Sequence, residues 1–153
     1  MKRIGGDRKV IEVLLVEDSP GDVRLTREAF READVSVRLH VASDGVEAVA
    51  FLRRLGTHAN APRPDLILLD LNLPRMDGRE VLSFIKDDET LTTIPTVILT
   101  TSEADVDIQR SYQLKANAYL SKPVQLEDFE ALVKSISDFW LTKVKLPQQV
   151  KVD

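Results

Sequence analysis

Asp65-Leu66-Ile67-Leu68-Leu69-Asp70-Leu71-Asn72-Leu73-Pro74-Arg75-Met76-Asp77-Gly78 is the stretch that decides the fold of this chain. Its four consecutive apolar residues have no polar alternation and are too few for a helix, so they read as a strand buried on both faces. A strand of that kind belongs to a parallel sheet covered by helices on both sides. The run stops abruptly on a carboxylate, Asp70, at the carboxyl end of the strand.

Working outward, Val13-Leu14-Leu15-Val16, Val97-Ile98-Leu99 and the weaker Ala118-Tyr119-Leu120 repeat the pattern, while Val37-Arg38-Leu39-His40-Val41 alternates as an edge strand would. Amphipathic stretches separate them. Ser19-Pro20 opens a helix carrying Val23, Leu25, Phe30 and Ala33, with a cap followed by proline at the first turn. Asp44-Gly45 opens a second that runs to a glycine stop at Leu55-Gly56, Gly78 precedes a third, and Val106 to Leu114 suggests a fourth. In the last, Leu126, Phe129, Leu132, Val133, Ile136, Phe139 and Trp140 recur at three- and four-residue spacing towards Val144, and Pro147 ends the pattern. Five β-α repeats with right-handed crossovers predict an α/β fold: a doubly wound five-stranded parallel sheet with helices on both faces.

The composition agrees. The 153 residues, 43% hydrophobic and 30% charged, fit one domain that can bury about 69% of its unfolded surface. The absence of cysteine excludes disulfide and thiolate-metal scaffolds and is compatible with a reducing cytoplasm. A net charge of -4 disfavours nucleic acid or an anionic membrane as partner. No apolar run approaches the ~20 residues of a bilayer span. The start, Met1 to Asp7, has no apolar stretch behind its charges, so no secretory signal is expected and a cytoplasmic location is.

In a doubly wound sheet, ligands bind outside the carboxyl ends of the strands. There stand Glu17-Asp18, Asp70, Thr100-Thr101-Ser102 and Ser121-Lys122-Pro123. Any one of these alone reads as a cap or a solvated turn. Together they converge on one crevice, because strands one, three, four and five are neighbours in such a sheet. Three carboxylates placed that close cannot all remain ionised unaided. Hard oxygen donors without histidine or cysteine favour Mg²⁺, with Mn²⁺ able to substitute. Three carboxylates, one divalent cation and the Lys122 ammonium sum to zero, and such a site suits a phosphoryl group with Lys122 and the Thr100 hydroxyl as donors.

Leu14-Leu15-Val16-Glu17-Asp18-Ser19, Asp65 to Gly78, Pro95-Thr96-Val97-Ile98-Leu99-Thr100 and Ala118-Tyr119-Leu120-Ser121-Lys122-Pro123 closely resemble, in order and spacing, the receiver domain of two-component response regulators. The resemblance runs from Val10 to about Ser137. It implies a flavodoxin-like receiver fold with Asp70 as phosphoacceptor for a sensor histidine kinase. It further implies Glu17 and Asp18 as metal ligands together with Asp70 and the backbone carbonyl of Asn72, Thr100 as switch hydroxyl, Tyr119 as aromatic switch and Lys122 on the phosphoryl group. The family's Lys-Pro bond is cis, an isomer open to proline, and Lys122-Pro123 is expected to share it. Arg63-Pro64-Asp65, Asp77 to Leu82 and the ending Asp138 to Pro147 resemble the small stand-alone regulators paired with bacterial, including cyanobacterial, phytochromes.

The expected organisation is a receiver over residues 10–138 and an extension, 139–153, that continues the last helix. Too few residues follow for a DNA-binding output domain, so output is expected through protein contacts. Ile136, Phe139 and Trp140 on one helical face suggest a homodimer interface, each aromatic burying roughly 150 to 250 Å². The domain supplies a nucleophile and electrostatics rather than a separate substrate pocket, so it is not read as an enzyme. A phosphatase with an aspartate nucleophile would carry a second aspartate two residues after Asp70, where Asn72 stands. A phosphorylation-independent interaction module fits poorly with Glu17, Asp18, Asp70, Thr100 and Lys122 all in place.

His40 and His58 read as structural, Asp87-Asp88-Glu89 as solvated surface, Gly45 as a turn residue, and Gly5-Gly6 as too isolated for a phosphate loop.

Overall fold

The computed structural model describes residues 10–32 and 36–147, so Gly5-Gly6 and the end of the extension lie outside the described residues. The strands are β1 (Ile11–Val16), β2 (Val37–Ala42), β3 (Leu66–Leu69), β4 (Thr96–Thr100) and β5 (Ala118–Ser121). The helices are α1 (Pro20–Arg31), α2 (Gly45–Arg53), α3 (Gly78–Asp87), α4 (Asp105–Gln113) and α5 (Leu126–Ile136). All strand pairs are parallel, in the order β2-β1-β3-β4-β5. The doubly wound α/β architecture read from the sequence is the one observed.

Every second residue of the central strands faces one of two cores. Leu14, Val16, Ile67, Leu69 and Ile98 meet Phe51 of α2 and Val81, Leu82 and Ile85 of α3. Val13, Leu15, Leu66, Leu68, Val97 and Leu99 meet Phe30 of α1 and Phe129, Val133 and Ile136 of α5. Both faces of β3 are therefore dry, and its sequence carries no alternation. The registers Val16↔Leu69, Leu69↔Ile98 and Ile98↔Tyr119 bring the strand ends to one edge of the sheet.

Three local expectations are corrected. The left-handed residue that ends α2 is Arg54 (φ 57°) rather than Gly56. The bonds Leu55 N–H to Ala50 O and Arg54 N–H to Phe51 O form a Schellman closure, and Gly56 turns the chain again two residues on. Lys122–Pro123 is trans, since no cis peptide bond occurs among the described residues; trans is the lower-energy isomer even before proline. Finally, α5 does not simply continue: from Ser137 to Lys143 the helix widens to π geometry, closed by Val144 N–H to Phe139 O. The widening rotates the apolar stripe, so Leu141 is buried, Trp140 packs on the α1/α5 core and Phe139 is left 54% exposed.

Candidate functional site

The carboxyl ends of β1, β3, β4 and β5, and the residues just after them, deliver polar groups to one edge of the sheet. At the β1 end, Glu17 is buried and its Oε2 accepts from the Ser19 amide, while Ser19 caps α1 through the Asp22 amide. At the β3 end, Asp70 is nearly buried and its Oδ1 accepts from the Asn72 amide at 3.2 Å. The chain then doubles back onto α3, where the Gly78 amide bonds Leu71 O at 3.0 Å. A Cβ on Gly78 would lie 2.2 Å from Asp70 O, so this close approach requires glycine. Gly45 is similar: a Cβ there would meet Met76 O at 2.1 Å, so it is a packing residue and not merely a turn.

Lys122, from the β5 end, joins the other groups. Its ammonium hydrogen-bonds Glu17 Oε1, Asp70 Oδ2 at 3.0 Å and Asp22 Oδ2 at 3.0 Å. Burial alone would lower the affinity of Lys122 for its proton, but the bonds and charges of Glu17 and Asp70 outweigh it, so the ammonium stays protonated. Burial pushes the Glu17 carboxyl above its ordinary value, and the Lys122 hydrogen bond opposes it without cancelling it.

Oxygens of Glu17, Asp18 and Asp70 lie within 4.8 Å of one another, with Asp18 exposed and the other two buried. This set of hard donors, open to solvent on the Asp18 side, fits a divalent cation. The sequence reading missed Asp22, three residues beyond the Ser19 cap on α1. With it, four carboxylates face one ammonium, and a divalent cation would leave one negative charge rather than none.

Thr100 is fully buried and its hydroxyl has no hydrogen-bond partner. Buried hydroxyls are ordinarily satisfied, so this orphan at the carboxyl end of β4 is an exception. Tyr119 packs against the α2/α3 core, and its hydroxyl donates to Ser102 O at 2.9 Å. The cap position of α4 is Ala104, whose side chain offers no cap bond; Ser102 lies just before it, its Oγ accepting from the Ala104 amide at 3.3 Å while its hydroxyl donates to Asp107. The acidic run is only partly solvated display, because Asp88 accepts from Thr90 and Leu91 and closes the turn after α3. His40 bonds Glu12 at 2.8 Å on the β2 edge and His58 meets Phe51 edge to face, structural roles for both.

The proposed interface residues separate. Ile136 is 3% exposed and sits inside the domain, Trp140 is partly buried, and Phe139 alone of the three faces solvent. Phe139 and Trp140 meet edge to face at 5.8 Å between centroids.

A five-stranded parallel sheet with an acidic crevice, a buried lysine and a buried threonine at its carboxyl edge is the layout of a phosphoryl-accepting signalling module. Residues 13–134 match the response regulator receiver domain family, and the chain belongs to it. It is 48% identical over 135 residues to "Response regulator Rcp1" of Synechocystis sp., covering 88% of this chain and 92% of that protein. The crystal structure of the Mn²⁺-bound form of Rcp1 superposes with a TM-score of 0.88 at 47% identity, covering 90% of this chain and 99% of the other. The phosphorylated cyanobacterial phytochrome response regulator RcpA superposes at 0.89 with 48% identity, covering 92% and 100%.

Proposed function

We propose that the protein is a single-domain response regulator that accepts a phosphoryl group from a sensor histidine kinase onto Asp70. The observation that carries this reading is the Lys122 ammonium, bonded to Asp70 and Glu17 beside the unpartnered Thr100 hydroxyl. An Asp70 carboxylate oxygen attacks phosphorus in line, the P–N bond of the donor phosphohistidine breaks, and its electron pair returns to the imidazole. Lys122 and Thr100 donate to the phosphoryl oxygens as charge spreads over them. Glu17, Asp18 and Asp70, with the Asn72 carbonyl, would hold Mg²⁺, which screens the incoming phosphoryl oxygens from the carboxylates. The Mn²⁺-bound Rcp1 supports a divalent cation, with Mn²⁺ able to replace Mg²⁺. Water later hydrolyses the acyl phosphate, so the domain modifies itself and turns over no separate substrate.

The phytochrome-linked name of RcpA and the tail motif support a phytochrome-type kinase as donor, which the receiver would meet in the cytoplasm. No described helix is long and apolar enough to cross a membrane. The receiver spans 10–138, and the 139–153 extension contributes Phe139 to a homodimer contact.

Incubation with acetyl phosphate and Mg²⁺ tests the acceptor. Intact mass should rise by about 80 Da in the wild type and stay unchanged in Asp70→Asn. An adduct of undiminished yield in that variant defeats the assignment.

A further inference from the structure

Arg79, the second residue of α3, lies outside the acidic crevice yet holds two carboxylates. Its Nη1 bonds Asp77 at 3.0 and 3.1 Å, and its Nη2 and Nε reach Asp107 Oδ1, in the first turn of α4, at 2.6 and 3.2 Å. The other Asp107 oxygen accepts the Ser102 hydroxyl at 2.6 Å, and the Ser102 carbonyl accepts the Tyr119 hydroxyl at 2.9 Å. An unbroken polar chain thus runs from α3 through α4 and the β4–α4 segment to β5.

Its two ends differ in rigidity. The start of α3 is fixed to the acceptor loop by the Gly78–Leu71 bond and by the contact of Gly78 with Asp70 O. By contrast α4 lacks a side-chain cap and buries a single residue, Ser111. The segment between Thr100 and Asp107 is therefore the part free to reposition, and Arg79 is what ties it to a rigid base. The tie is made in the arrangement in which Tyr119 packs inward and its hydroxyl is received by Ser102.

We propose that Arg79 is a positioning residue of the phosphorylation switch: by clamping Asp107 it holds the β4–α4 segment where Ser102 receives Tyr119, and so favours the phosphoryl-bound state. The proposal rests on the reading of Asp70 as acceptor. A contact present in only one of two arrangements shifts their balance by its own free energy. The bidentate fork of arginine suits this better than a lysine, which would keep the charge and lose the geometry.

Calorimetric titration of the full chain with beryllofluoride and Mg²⁺, a phosphoryl mimic, tests it. Arg79→Ala should bind about fivefold more weakly than wild type, at the low end of coupling between sites. Arg79→Lys should recover part of the loss. In a Tyr119→Phe background, which already lacks the last bond of the chain, Arg79→Ala should add little. If Arg79→Ala fails to fold, Ser102→Ala cuts the same chain in the loop and carries the same expectation. Wild-type affinity in both Arg79→Ala and Ser102→Ala, or full additivity with Tyr119→Phe, overturns the clamp. A wild-type chain with no affinity for beryllofluoride overturns the acceptor reading as well. Binding that Asp70→Asn abolishes and Arg79→Ala leaves untouched overturns the clamp alone.

Discussion

The Lys122 ammonium lies 3.0 Å from Asp22 Oδ2, the same distance as from Asp70 Oδ2, so a carboxylate of α1 shares the lysine with the proposed acceptor. Asp22 holds its place because Ser19 caps the helix through the Asp22 backbone amide, which puts its side chain in the first turn, facing the crevice. Removing its charge relieves an anionic site of one repulsion. Asp22→Asn should weaken divalent-metal affinity about fivefold, the worth of roughly 1 kcal/mol between charges about 4 Å apart. At saturating metal the same variant should be phosphorylated by acetyl phosphate at least as fast as wild type. Calorimetry and intact-mass time courses read the two effects, and a slower time course at saturating metal would contradict the shared-lysine account.

Gly78→Ala should be among the costliest conservative changes in the chain. The added methyl meets backbone, Asp70 O at 2.2 Å and Leu71 Cα at 2.6 Å, and neither can swing aside. Overpacking of this kind costs about 1 to 3 kcal/mol, visible as a lower urea midpoint. Because the displaced carbonyl belongs to Asp70, the proposed acceptor and metal ligand, metal affinity should fall with stability. Loss of stability alone, with metal binding intact, would show that the Asp70 loop is not set by this contact.

The π-helical tail separates folding from assembly. Leu141 is buried, so Leu141→Ala should destabilise the fold by about 2 to 5 kcal/mol, and truncation after Ser137 would do so too. Truncation is therefore a poor test of dimerisation. Phe139 is 54% exposed, so Phe139→Glu should leave the urea midpoint nearly unchanged while lowering the sedimenting mass at micromolar concentration from dimer to monomer. A wild-type chain that sediments as a monomer would remove the interface.

The hydrogen bond from Ser102 and the pairing with Arg79 hold the Asp107 carboxyl below the usual carboxylate range. A carboxylate depressed in the folded state contributes stability that is fully present above its unfolded value, near 3.9, and is lost as pH falls through the folded one. The stability gap between wild type and Ser102→Ala should hold from pH 7 to about 5 and narrow progressively as pH falls below about 4. Urea midpoints across that range check it, and a gap independent of pH down to 3 would exclude Asp107 as the titrating group.

The sheet and the main site groups were legible in the sequence because their signals are local. An uninterrupted Leu66-Ile67-Leu68-Leu69 can only be a strand covered on both faces, and the connection rules for parallel sheets then put Glu17, Asp18, Asp70, Thr100 and Lys122 at one edge. Asp22, Arg79 and the fate of Phe139 were not legible. Asp22 and Arg79 look like ordinary first-turn polar residues of α1 and α3, and their partners, Lys122 and Asp107, are 100 and 28 positions away. Which of Ile136, Phe139 and Trp140 face solvent depends on the change from α to π winding at Ser137, a rotation that periodicity counted at 3.6 residues per turn cannot register. Periodicity and strand-end chemistry thus specified the frame, whereas the pairing of distant charges and the twist of the tail came only from packing the elements against one another.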